Sequence, residues 1–191
     1  NQSLDTVVSV EAHTEKADGR RLVVQPHQIR DQQEAASLDA PMFQDTRLKI
    51  VVFPDVQPGD RVAVRYVVRR HTPLFPGQFE DLTTARFHRH RDFRLIYDMP
   101  ASLPLHADAV GFEALAGTGP PGKRRYQWRY VDGDNARIEA DSVSYLDYGK
   151  RLAVSTFPDY AAFAHAYQER AAGKALADDS VKALAQRIAG G

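Results

Sequence analysis

The amino-acid sequence predicts a mainly β protein, an antiparallel two-sheet β-sandwich followed by two C-terminal helices. Apolar residues alternate with polar ones in a series of runs before residue 156, the period of a strand with one face in a core. The breaks between those runs are turn-forming rather than helical, which favours antiparallel pairing over a parallel α/β sheet. After residue 156 apolar residues recur at spacings of three and four, the period of a helix with one apolar side.

The elements follow in order. Val8, Val10 and Ala12 alternate with polar neighbours, and Leu48, Ile50 and Val52 alternate with Lys49 and Val51. Val62, Val64, Tyr66 and Val68 alternate with Arg61, Arg65 and Arg69. Phe93, Leu95 and Tyr97 alternate with Arg94 and Ile96; Tyr126, Trp128 and Tyr130 alternate with Arg125, Gln127 and Arg129. The first set in each run is expected in the core and the second in water, where arginine stems still cover apolar surface. Turns are expected at Pro54–Asp60, at Gly117–Gly122 and at Asp132–Asn135. The weakly periodic stretch Gln28–Asp45 is expected to be a long connection.

In the helical part, Tyr160, Phe163, Ala164 and Tyr167 form one stripe. Thr156 is expected to cap that helix, with Pro158 in its first turn and Gly173 at its end. Asp179 or Ser180 is expected to cap a second helix with the stripe Val181, Leu184, Ala185 and Ile188. The expected division is therefore a β-sandwich domain over residues 1–156 and a helical connector over residues 157–191.

Composition narrows the function. The chain has 191 residues, 43% of them hydrophobic, which suits one domain, or one domain plus an appendage, with a sizeable core. Lysine plus arginine equals aspartate plus glutamate at 25 each, so no global field draws the chain to nucleic acid or an anionic membrane. No apolar run reaches the ~20 residues of a membrane span. There is no cysteine, which excludes disulfides, thiolate metal sites and a cysteine nucleophile within these residues. The start at Asn1, without Met or a signal peptide, reads as a segment of something longer or a matured chain.

Several groups could carry chemistry. His88 and His90 share one face of a strand and could meet one metal ion, but Arg86, Arg89 and Arg91 crowd them and no third ligand is near in sequence; two histidines on a wet strand or at a domain contact is the expected reading. The same arginines, with Arg94 and the interleaved Phe87 and Phe93, could meet single-stranded nucleic acid or an anionic glycan, but a solvated sheet face is the expected reading, with a docking surface for a following domain as the further alternative. No Gly-x-Ser-x-Gly elbow is present, and the spacing of Asp141, Ser142 and His165 implies no triad. Asp55 and Asp60 are expected to serve their own turn, and Glu80 and Asp81 also sit near turns. Tyr126, Trp128 and Tyr130 are either core or an exposed aromatic row able to stack on sugars. Pro73–Phe79, with Leu74, Phe75 and Phe79, is either a flap over a sheet end or a contact with a partner. No catalytic or cofactor-binding residue is assigned, and no cofactor is expected.

The chain also resembles the domain of unknown function that precedes the transglutaminase-like core in many secreted bacterial proteins. The resemblance rests on the turn and strand entry Phe53–Asp60 before Arg61–Arg70, on Pro73–Phe79, and on Arg89–Asp98 running into Met99-Pro100. It rests also on Tyr126–Tyr130 with its tryptophan and on Leu152–Phe157 leading into a helix. It implies a non-catalytic accessory module, exported to the periplasm or beyond, whose partner is a C-terminal transglutaminase-like (papain-like) domain of the same polypeptide. That module would position or gate the catalytic domain. The competing expectation is a module binding cell-wall glycan or peptide, a cell-envelope component, through an aromatic sheet face.

Overall fold

The structure is a computed structural model that describes residues 2–34, 46–85, 90–130 and 141–189. It consists mainly of antiparallel strands with two helices at the C-terminal end, as the alternation predicts. The chain divides into two compact units, Asn1–Leu74 and Phe75–Gly191. The division falls inside the Pro73–Phe79 segment, and both C-terminal helices belong with strands of the second unit.

The first unit contains β1 (Asp5–Glu15), β2 (Arg21–Val23), a 3-10 turn at Pro26–Gln28, β3 (Ile29–Gln33), β4 (Arg47–Val51) and β5 (Arg61–Arg70). One sheet has the order β2-β1-β5, and β3 pairs with β4 in a second. The pairing of β1 with β5 runs from Asp5 opposite Arg70 to Glu15 opposite Arg61, and its register shifts between Val7 and Ser9. The extra residue at that bulge is Val8, so Val7, Val10, Ala12 and Thr14 share a face with Val68, Tyr66, Val64 and Val62. Strict alternation places Val8 on that face; the bulge removes it, and its side chain is exposed.

Alternation also places Leu48, Ile50 and Val52 in a core. In the structure these three remain exposed, while Lys49 and Val51 turn to the opposite side and line a trough against β1 and β5. Sequence period fixes which residues share a face, not which face is covered. The expected long connection Gln28–Asp45 contains β3, whose polar sequence has no apolar period because pairing with β4 supplies its backbone partners; residues 35–45 lie outside the described residues.

One end of the β1–β5 face is closed by the Phe53–Asp60 turn. Thr14, with 0% of its surface exposed, donates its hydroxyl to the Pro54 carbonyl at 2.8 Å. The Lys16 ammonium reaches Asp60 Oδ2 at 2.7 Å, the Asp55 carbonyl at 2.7 Å and Asp55 Oδ2 at 3.2 Å. Asp60 also accepts from the Gln57 amide at 2.9 Å and the Ala17 amide at 3.2 Å. Only 9% of the Lys16 side chain and 4% of the Asp60 side chain are exposed. Asp60 thus serves its turn, as expected, while the Asp55 carboxylate takes no backbone amide among the described residues and, with Asp60, locks the turn to the end of β1 through Lys16.

The lock has a pH signature. The Lys16 hydrogen bond, followed by the Gln57 amide, holds the Asp60 carboxyl below its ordinary range, and Asp60 raises Lys16. A lowered carboxyl contributes stability that is present above its unfolded value near ~4 and is lost as pH falls through the lower folded value. A raised lysine contributes stability that is present below ~10.4 and is lost as pH rises through its higher folded value. Asp60→Asn is therefore expected to lower the urea midpoint at neutral pH. The gap to the parent chain should close in strong acid. A gap independent of pH would show that the charge of Asp60 contributes nothing.

The second unit contains β6 (Glu80–Thr84), β7 (Arg94–Pro100), β8 (His106–Val110), β9 (Phe112–Leu115) and β10 (Lys123–Tyr130). Then come α1 (Tyr145–Tyr148), β11 (Arg151–Ser155), α2 (Tyr160–Ala175) and α3 (Asp179–Ala189). Two three-stranded antiparallel sheets, β7-β10-β9 and β6-β11-β8, share one core. Met99, Phe112, Trp128 and Tyr130 come from the first sheet, Leu152 and Val154 from the second, with Ala85 and Leu105 between. Tyr97 donates to Asp81 Oδ2 at 2.7 Å, tying β7 to β6. Burial, then the hydrogen bond to Asp81, pushes the Tyr97 phenol far above its ordinary value, so it stays a donor.

One of the crossings between the two sheets, from β8 to β9, is made by a single residue. Gly111, between β8 and β9, has φ +73, and a Cβ there would run into the Lys150 side chain. The helix starts differ from expectation. The Thr156 hydroxyl is used inside the fold, donating to Gln78 Oε1 at 2.6 Å and accepting from the Phe79 amide at 2.9 Å. Asp159 therefore caps α2, taking the Ala162 amide at 2.8 Å. Gly173 does not end α2, which runs on to Ala175. Asp178 caps α3, accepting from the Val181 amide at 2.9 Å.

Candidate functional site

The aromatic face of the second unit is the candidate contact surface. It begins with the part of the Pro73–Phe79 segment that belongs to this unit, from Phe75 on. Phe79 packs against the core, edge-on to Tyr97 at 5.8 Å. Phe75 meets Phe157 at 5.3 Å and Phe163 at 5.4 Å, and Phe157 meets Phe163 at 5.6 Å, all edge-on. These three rings fasten the segment to the start of α2. Leu74 remains exposed. Phe75 and Phe79 thus act as a flap.

Beyond the ring cluster the surface is open. Ser155, Phe157, Asp159, Tyr160 and Phe163 line a shallow cavity of about 310 Å³. Tyr160 is 90% exposed, and Tyr167, tilted against Phe163 at 6.4 Å, is also exposed. On α3, the stripe Val181, Leu184 and Ile188 faces water. An isolated helix of α3's 11 residues is marginal in water.

The other candidate residues fall elsewhere. Trp128 is 7% exposed, stacked on Tyr126 at 6.3 Å and edge-on to Tyr97 at 5.9 Å. Tyr130 is buried too. Trp128 is therefore a core residue and not part of an interaction surface, and this row offers no exposed platform for sugar. The physical reason is the core it faces: its cross-strand neighbours Leu95 and Ala114 are apolar, and Leu152 and Val154 lie in the same cluster.

His90 packs its ring on Phe93 at 4.7 Å and edge-on to Tyr130 at 5.8 Å. Arg86, His88 and Arg89 lie outside the described residues, as does the expected loop Asp132–Asn135. Among the described residues no group of three His, Asp or Glu side chains could hold a metal ion. Arg91 is exposed.

The arginines on the outer face of β10 meet acids on neighbouring strands. Arg125 forms a two-toothed pair with Asp98 at 2.7 and 2.8 Å, and Arg129 reaches Glu113 at 3.4 Å. Arg125 holds the Asp98 carboxyl below its ordinary range. Cross-strand neutralisation of this kind leaves little field to attract an anionic polymer. No helix among the described residues is long and apolar enough to cross a membrane.

A family model matches residues 1–134, more than half of the chain. The chain belongs to the DUF3857 family. That family is described as a domain of unknown function with solved structure. The DUF3857 fold also recurs in a crystal structure described as that of "a putative protease" from Parabacteroides distasonis ATCC 8503. The TM-score is 0.72 at 16% sequence identity, over 85% of this chain and 32% of that one. The chain thus spans about a third of the length of that protein, and identity this low establishes the shared fold alone. No curated protein matches the chain.

The aromatic surface was only partly visible in sequence. The stripe of α2 and the Pro73–Phe79 segment both stood out, but nothing in their spacing joined Phe75 to Phe163. The trough of the first unit was not visible at all, since it depends on which side of β4 turns toward β1.

Proposed function

We propose that the chain is a non-catalytic accessory module of an exported transglutaminase-like (papain-like) protein, and that it positions or gates the catalytic domain. The observation that carries this reading is the recurrence of the fold as about a third of a longer protein described as a putative protease. The open aromatic surface of α2 and the uncovered stripe of α3 support it, since both are apolar and both lie toward the C-terminal end of the module. In this reading the helices connect the sheets to the catalytic domain, and the module acts by burying part of that domain's surface. The setting that suits it is the periplasm or the cell exterior.

The experiment is direct. The 191-residue chain alone should leave casein and peptidoglycan intact. Mixed with the separately expressed catalytic domain of its polypeptide, it should bind in a calorimeter and change turnover. Tyr160→Asp, on an exposed position, should weaken that binding without altering the circular dichroism spectrum. Hydrolysis by the isolated chain would sink the proposal, as would the lack of any binding.

A further inference from the structure

We infer that the trough of the first unit is a binding site for a single-chain anionic amphiphile, a long-chain carboxylate. The inference stands apart from the accessory role, because it uses other residues and a different unit. The trough is walled by β1 and β5 on one side, through Val7, Val10, Val64, Tyr66 and Val68, and by Val51 and Phe53 on the other. Its volume is about 360 Å³. Ligand cavities run from ~300 to ~1,000 Å³, so this one suits one alkyl chain better than a two-chain lipid. Val64, Tyr66 and Val68 stay exposed along it, an apolar run that a protein in water rarely leaves open without a purpose.

The trough has two unlike ends. One is closed, where Thr14 is bonded to Pro54 and Lys16 locks the turn through Asp60. The other opens into a polar mouth of about 520 Å³, which shares Val7, Lys49 and Val68 with the trough. Gln2, Asp5, Thr6, Asp31 and Arg47 complete this mouth. Two acids and two bases line it, and one of the acids is taken up by an arginine outside the lining. Asp5 is paired with Arg70 at 3.1 Å and Asp31 with Lys49 at 2.8 Å, whereas Arg47 forms no ion pair among the described residues. An apolar trough closed at one end, with one surplus guanidinium at its entrance, matches a molecule with an apolar tail and one carboxylate. The planar guanidinium takes a carboxylate by two parallel hydrogen bonds.

The test uses the 191-residue chain and laurate below its micelle concentration, with dodecylammonium as the same tail carrying the opposite charge. Titration calorimetry should show one laurate per chain and weaker uptake of dodecylammonium. Arg47→Glu should weaken laurate by about ten-fold or more, the loss expected for a charged hydrogen bond. Tyr66→Asp, at an exposed position on the trough wall, should abolish binding, while Ile50→Asp, exposed on the other face of β4, should leave it unchanged. Should Tyr66→Asp unfold the chain, Arg47→Glu decides alone. The inference is overturned by absence of saturable binding, by equal loss from Ile50→Asp and Tyr66→Asp, or by indifference of laurate to Arg47. A dimer in sedimentation that laurate fails to dissociate also overturns it, because a second copy then fills the trough.

Discussion

Trp128→Ala is expected to destabilise the second unit by about 3–5 kcal/mol, the usual cost of removing a buried indole. The side chain is almost fully enclosed, stacked on Tyr126 and edge-on to Tyr97, and it sits in the cluster to which both sheets contribute. Truncation removes the largest ring of that cluster and leaves a void that the strands cannot close, because β10 is held by β7 on one side and β9 on the other. Trp128→Phe should cost markedly less, since it keeps a ring in place. Because Trp128 is the sole tryptophan, unfolding in urea is read by far-ultraviolet circular dichroism. A near-neutral alanine variant would mean that Trp128 is not in the core.

Leu152→Ala is expected to cost about 2–5 kcal/mol. Leu152 has 0% of its surface exposed and lies on β11, the central strand of the β6-β11-β8 sheet. Its removal opens the core from the side opposite Trp128. The two residues share one cluster, so the double variant should depart from the sum of the single losses. Strict additivity in the cycle would show that the two sheets do not share a packed interior.

These two positions also show how much the sequence revealed. Alternation located β7 and β10 and chose the correct inward set on each, because those strands are buried on one side and polar on the other. It did not reveal that Val8 is set aside by a bulge, since a bulge leaves no mark on composition. Nor did it show that Leu48, Ile50 and Val52 stay uncovered. Coverage depends on distant partners, and the spacing within a strand holds no information about them. The shift of the helix cap from Thr156 to Asp159 has the same origin: Thr156 finds Gln78 and Phe79, nearly eighty residues earlier in the chain.

The candidate site was less legible than the fold. Pro73–Phe79 and the α2 stripe were visible as apolar segments needing partners, but only three dimensions join Phe75 to Phe157 and Phe163. The tryptophan row drew attention for its chemistry and proved to be packing. A lone tryptophan between alternating tyrosines reads alike in both roles until its neighbours are known.

The one-residue corner at Gly111 has a mechanical consequence. With no slack between β8 and β9, the hydrogen-bond ladder of one sheet is indexed to that of the other. A slip of β8 along β11 would have to be passed through this corner to β9 and its ladder with β10, since no spare chain separates the two strands. The two layers are therefore geared together along this edge, where β8 and β9 are built to part from their sheets in concert rather than one after the other.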